Sequence, residues 1–524
     1  MARLRVGTQV AKAGRRAVLA LGLTLALLAQ AGRAQAVTLR VALNQDPDIL
    51  DPSLARSYVG RIIFANMCEK LYDVDAQGNL IPQLAAGMPA VSNGGKTLEI
   101  RLRPGLLFND GTPVTAEALK LSLERHKDIK GSARKSELSL MSSVEVVNPL
   151  TVRMQLSKPF APLVATLADR AGMILAPAAV KELGERFGTH PVCVGPWMFT
   201  ERVPQARIVL DKSPYYYDKT TPRVDRIEFR IIPDDAVRLA NLRSGDIDMM
   251  HRVPPTEIKH LKDDASLGLS EVVGPGYVGL TINIANKEGR TKPPVTLDTP
   301  LAKSVLVRRA LDLSIDRTVL NQVVFDGLFV AGCTPLAPNS PFYPKDIQCP
   351  TRDVAKAKAL LAQAGFANGV KAELTVTNDP INNQVGQVIQ GMAKDAGFDL
   401  TLRPVEFASM LDGLDAGRFQ IDLLGWSGRP DPDGNIEVFQ ACHGSLNYSN
   451  TCNPDITALI DKAREASDFK ARYALYDEAI HKMLEQESII YLYHEQYIVA
   501  FSSKVQGYVA TPDGLIRLLG VQVQ

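Results

Sequence analysis

The chain has 524 residues, with 59 Lys or Arg against 57 Asp or Glu, seven His and six Cys. So even a charge balance offers no sign of the clustered basic surface a nucleic-acid partner requires. A chain this long buries more than one core and is expected to divide into lobes.

The first residues read as an export leader. Arg3, Arg5, Lys12, Arg15 and Arg16 form a basic start, "AVLALGLTLALLA" (17–29) is an apolar run, and "AQA" (34–36) offers small residues for cleavage near Ala36. The run is too short to span a bilayer core of about 30 Å. Arg15 and Arg16 fit a twin-arginine signal only in part, so the Sec and twin-arginine routes both stay open. No cysteine follows the cleavage site, so no lipid anchor is expected and the protein is placed in the periplasm. Removing the leader's six cations leaves 53 basic and 57 acidic residues, a net charge near −4.

In the mature chain "TLRVAL" (38–43) and the alternating "KTLEIRLRPG" (96–105) are predicted strands. Asp110-Gly111 then marks a turn, and Thr115 caps a predicted helix with Glu117 in its first turn. Residues 224–250 read as strand, helix opened at Pro233-Asp234, stop at Gly245, and strand again. That order favours an α/β layer architecture. Further helices are predicted over 353–366, ending at Gly365, and from Asn453-Pro454 onward. Ile456, Leu459, Ile460 and Ala463 share one helix face, as do Tyr473, Tyr476, Ile480 and Met483 on the next, which is the pattern of core packing.

In an exported chain the cysteines invite pairing. Cys333 and Cys349 flank a Pro-rich loop and Cys442 and Cys452 flank "HGSLNYSNT", so each pair is expected to close its loop. For Cys68 and Cys193, pairing and free thiols both stay open. There is no CxxC and no His spacing suited to zinc, so neither metal nor cofactor is expected. A GxSxG elbow and a Walker-type loop are also missing, and the histidines are scattered, so no enzyme activity is expected.

Several segments together resemble the extracytoplasmic solute-binding proteins of the peptide, opine and nickel class, family 5, that serve ABC importers. They are residues 79–125, from "NLIPQL" to "LSLER", residues 215–250, from "YYYDK" to "DIDMM", residues 307–328, "VRRALDLSIDRTVLNQVVFDGL", and "IIYLYHEQYIVAF" (489–501). The resemblance implies a two-lobed, three-domain α/β flytrap of mixed sheets. Domain I would take 37–71, 196–280 and 490–524, domain II 72–195, and domain III 281–489. It also implies a monomeric periplasmic receptor that captures a small peptide, or a peptide-like or anionic organic solute. Hinge closure would trap the solute for delivery to a membrane permease and its ATPase. A periplasmic peptide chaperone and an exported hydrolase are the alternatives.

The resemblance also points to site residues. In peptide-binding members the segment resembling "GWSG" (425–428) is followed by an acidic residue that accepts the peptide's amino group, and here Arg429 follows it. A guanidinium there repels an ammonium and pairs with a carboxylate, so Arg429 is expected to hold an anionic group. The same Arg429 could instead be a loop residue braced by Asp431 or Asp433. Asp431 could take the family acid's place and keep a peptide ligand open. Asn383 falls where the family has a carboxylate-binding arginine. Trp426 is expected as an aromatic wall, with Tyr277 and Tyr58 as weaker candidates of the same kind, while Trp197 is assigned to packing.

Overall fold

The computed structural model describes residues 36–442 and 444–524. All but the last residue of the expected leader lies outside the described residues. Strand Thr38–Leu43 pairs in parallel with Arg226–Ile231 on one side and Met249–His251 on the other. It forms the middle of a seven-stranded sheet completed by 207–212, 197–203, 496–502 and 267–273. Leu39, Val41 and Leu43 enter one core while Ala42 enters another, so both faces of the strand are covered. Burial on both faces is the usual condition of a parallel strand.

The unit predicted over 224–250 forms as expected. Asp234 caps helix Asp235–Ser244 by accepting the Val237 N–H at 2.9 Å, and Gly245 ends it at φ 81°. That left-handed conformation is the one glycine adopts without a Cβ penalty. The predicted strand near 96–105 is Thr97–Arg101, in a four-stranded antiparallel sheet with 90–92, 151–156 and 141–148. Helix Ala116–Asp128, capped by Thr115, contacts that sheet. This smaller sheet shares one continuous core with the seven-stranded sheet. Trp197 is fully buried there and donates to Val224 O at 3.1 Å.

The second lobe is built on a six-stranded sheet in the order 330–331, 489–494, 277–282, 421–426, 370–377, 398–405. The chain crosses between the two large sheets at 274–276 and again at Glu495. These crossings replace the expected boundaries at 280 and 489. Tyr277–Ile282 pairs with partners on both edges inside the second sheet, and Ile489–His494 pairs there too. At the first crossing the backbone of Gly276 runs so close to Trp426 O that a Cβ would lie 1.8 Å from it.

Three disulfides are in place. Cys68–Cys193 bridges 125 residues of lobe one, while Cys333–Cys349 and Cys442–Cys452 close the two short loops.

Glu69 is buried in lobe one, where Tyr216 and Tyr217 donate to its carboxylate at 2.6 and 3.0 Å. Burial pushes its pKa up to about 7 despite these donors. The folded state therefore holds a proton that the unfolded chain releases near pH 4.5. The associated stability is complete below that pH and declines as pH approaches 7. Glu69→Gln keeps an acceptor for Tyr216 and should remove about 3 kcal/mol of the fall in unfolding free energy between pH 4.5 and 7. Urea denaturation of both proteins across that range checks this, and parallel pH curves would refute it.

A cavity between the lobes

The two large sheets meet along a cleft that encloses a cavity of about 100 Å3. Its wall is made where strands end. Asn44 and Gln45 follow strand 38–43, Arg252 follows His251 at the end of 249–251, Thr377 ends 370–377, and Gly425 to Ser427 end 421–426. Ligands of open α/β sheets bind outside the carboxyl ends of strands in this way.

Three helices also begin at the cavity, starting at Tyr58, Pro380 and Phe407 and capped by Ser57, Asp379 and Glu406. Their first turns contribute Tyr58, Val59, Asn382, Phe407 and Met410.

Aromatic and polar groups divide the lining. Tyr58 and Tyr497 stack with centroids 5.1 Å apart, and the Tyr497 hydroxyl reaches across to Ser427 O at 2.8 Å. Opposite them, the Trp426 indole N–H donates to Asn435 Oδ1 at 3.0 Å. Arg56 pairs across the lobes with Asp415 at 2.6 Å. On the first lobe's side Arg252 Nη2 meets both Glu495 oxygens, at 2.6 and 2.7 Å. His251 is 1% exposed and its Nδ1 donates to Asn44 Oδ1 at 3.2 Å. Burial, with Arg252 next to it, pulls the imidazole pKa well below its usual value, so the ring is neutral.

Of the residues expected from sequence, Trp426 and Tyr58 line this cavity. The other four lie elsewhere. Arg429 stacks on Trp426 at 4.4 Å, but its Nε is 2.6 Å from Asp169 Oδ2 and its Nη1 donates to Gly428 O. It does not line this cavity and faces a carboxylate of the opposite lobe. Asp431 is held by two nitrogens of Arg472, at 3.0 and 2.8 Å. Asn383 turns back to Asp379 O at 2.8 Å, and its neighbour Asn382 takes the lining position. Tyr277 is buried edge-on against Tyr491 and Phe439.

Arg56, His251, Arg252, Glu495 and Tyr497 did not emerge from sequence. One signal was available in "DIDMMHRVPP", where His-Arg interrupts a short apolar strand just before two prolines. Residues directly after a parallel strand are the ones that reach such a crevice.

Asp169 also meets Arg61 at 3.2 Å and Arg170 at 3.6 Å, and all of these groups are buried. Burial raises the Asp169 pKa, but Arg429 and Arg61 outweigh it and hold the carboxyl well below the usual range. Burial together with Arg61 draws Arg429 down to about 10, so it stays charged at neutral pH. Removing one partner of such a buried set costs about 3–5 kcal/mol, since the remaining charges lose their compensation. Opening the lobes would let water meet them. Asp169→Asn should therefore shift the unliganded protein toward an open form with a larger radius of gyration by small-angle X-ray scattering. An unchanged radius would contradict this.

Comparison with known proteins agrees with this architecture. Residues 79–447 match the bacterial extracellular solute-binding proteins, family 5 middle region. The chain is 27% identical to a glutathione-binding protein of Pectobacterium atrosepticum, over 96% of this chain and 97% of that one. It is also 27% identical to the dipeptide-binding protein of Escherichia coli K12, over 97% and 98%. Among solved structures, the Helicobacter pylori periplasmic binding protein DppA in complex with the peptide STSA superposes with a TM-score of 0.83. It shares 24% identity, and the match covers 93% of this chain and 98% of that one. The A. tumefaciens R10 protein AgaA in complex with agropinic acid gives 0.83 at 25%, over 93% and 99%. With a family match over most of its length and a cavity enclosed between two α/β lobes, this chain belongs to the family 5 extracellular solute-binding proteins.

Proposed function

We propose that the protein is the periplasmic receptor of an ABC importer. It captures a small peptide, or a peptide-like or anionic organic solute, by lobe closure and passes it to a membrane permease with its ATPase. The observation that carries this reading is the cavity itself, closed by both lobes and lined by aromatic faces with a few convergent polar groups. Such a lining is typical of small-molecule sites. Relatives that bind glutathione, dipeptides and agropinic acid support the solute class. The protein works as a monomer, exported with its leader cleaved near Ala36. Residues 72–195 form a domain inserted into lobe one, and the lobes turn about the crossings at 274–276 and Glu495.

The test is a thermal-shift panel of di- and tripeptides, glutathione and agropinic acid, with mass spectrometry of any solute released on denaturation. A true ligand at about 100 times its Kd should add about 2.7 kcal/mol to stability. A panel without effect, together with no released solute, would sink the receptor reading.

A further inference from the structure

Resting on the receptor reading, the geometry points to Arg252 and Glu495, with His251 beside them, as the subsite that reads a zwitterionic solute. The solute's carboxylate goes to Arg252 and its ammonium to Glu495, while one of its N–H groups donates to His251.

The backbone of Arg252 lies at φ 57°, a region that residues other than glycine rarely adopt. Two hydrogen bonds hold it there. Its N–H donates to Ile498 O at 3.1 Å and its carbonyl accepts from Arg238 Nη2 at 3.0 Å. Strain of this kind persists where the surroundings over-determine the conformation, and it gathers at binding sites. Its effect here is to put the guanidinium at the cavity. Only Nη2 is spent on Glu495, and among the described residues no group bonds Nε or Nη1. Nε–H and the Nη1 N–H groups are thus left as single donors for a solute carboxylate.

Glu495 is the one residue between strands 489–494 and 496–502, so it stands at a crossing between the lobes. Its ion pair with Arg252 keeps 18–29% of each side chain exposed in the cleft. The third member, His251, donates through Nδ1 to Asn44 and leaves Nε2 as an acceptor with no partner among the described residues, although the residue is 1% exposed. A buried acceptor without a donor is costly, and a donor on the solute supplies what is missing.

Charge balance favours the same class. The charged side chains lining the cavity are Arg56, Arg252 and Glu495, and Arg56 is already paired with Asp415. A solute with a single net charge would leave that charge uncompensated on closure, whereas a zwitterion adds none. The expected anion anchor, Arg429, takes no part.

Calorimetry of the mature protein with Ala-Ala, its N-acetyl form and its C-terminal amide tests the assignment. In the wild type, blocking either end should weaken binding at least tenfold. Arg252→Met should bind acid and amide alike, and Glu495→Gln should bind free and acetylated forms alike. Should a single variant fold poorly, the double variant Arg252→Met/Glu495→Gln removes the pair as a unit. It should keep the wild-type melting temperature within a few degrees and lose both discriminations. Wild-type binding that ignores the blocks, or variants that still discriminate, would overturn the subsite. Failure of Ala-Ala to bind while another solute of the panel binds would also overturn it and leave the receptor reading standing. If nothing binds at all, both fall.

Discussion

One carboxylate governs how the two lobes meet. Asp169 extends from lobe one into a set of guanidinium groups, two from its own lobe and Arg429 from the other. All three buried guanidinium groups draw on this one carboxylate for compensation, so the interface has one good arrangement and poor neighbours. That arrangement also determines the cavity wall. Arg429 N–H donates to Asn435 Oδ1 at 2.7 Å, and Asn435 returns a bond to Arg429 O, which sets the turn after strand 421–426. The same Asn435 oxygen receives the Trp426 indole N–H. Asp169, Arg429, Asn435 and Trp426 therefore form one chain of contacts from the lobe interface to the cavity.

Further contacts extend the seam. Arg464 of lobe two lies 4.8 Å over Phe160 of lobe one, and its carbonyl accepts the Ala161 N–H at 2.8 Å. Arg56 and Asp415 pair across the cleft nearer the cavity. Polar contacts suit a surface that must also separate, because water can replace each of them on opening, whereas a large apolar seam would resist. The apolar work is done inside the lobes, where one core serves the two sheets of lobe one and separate clusters serve lobe two.

Much of the fold was legible because it depends on neighbours in sequence. Thr115, Asp234 and Asn453 are local caps, Gly245 and Gly365 are local stops, and strand 97–101 announces itself by alternation. Trp426 and Tyr58, named from the resemblance, line the cavity between the lobes. Arg429, Asp431, Asn383 and Tyr277 could not be placed, because each is claimed by a partner from another part of the fold: Asp169, Arg472, Asp379 and Tyr491 respectively. Of these only Asp379 lies close in sequence. The sheet crossings were misplaced by a few residues for a related reason: apolar strands 277–282 and 489–494 carry no mark of which sheet they join.

By itself, then, the sequence determined the elements and the layer class through short-range patterns of burial, capping and turns, and the family through the resemblance of several long segments together. Tertiary structure alone decided which charged groups line the cavity between the lobes. An arginine becomes a ligand contact or a lobe clasp according to which carboxylate lies within about 3 Å, and Asp169 is 260 residues from Arg429 in sequence. The pairing of Cys68 with Cys193 and the approach of Glu495 to Arg252 were settled in the same way, by contacts over 125 and 243 residues.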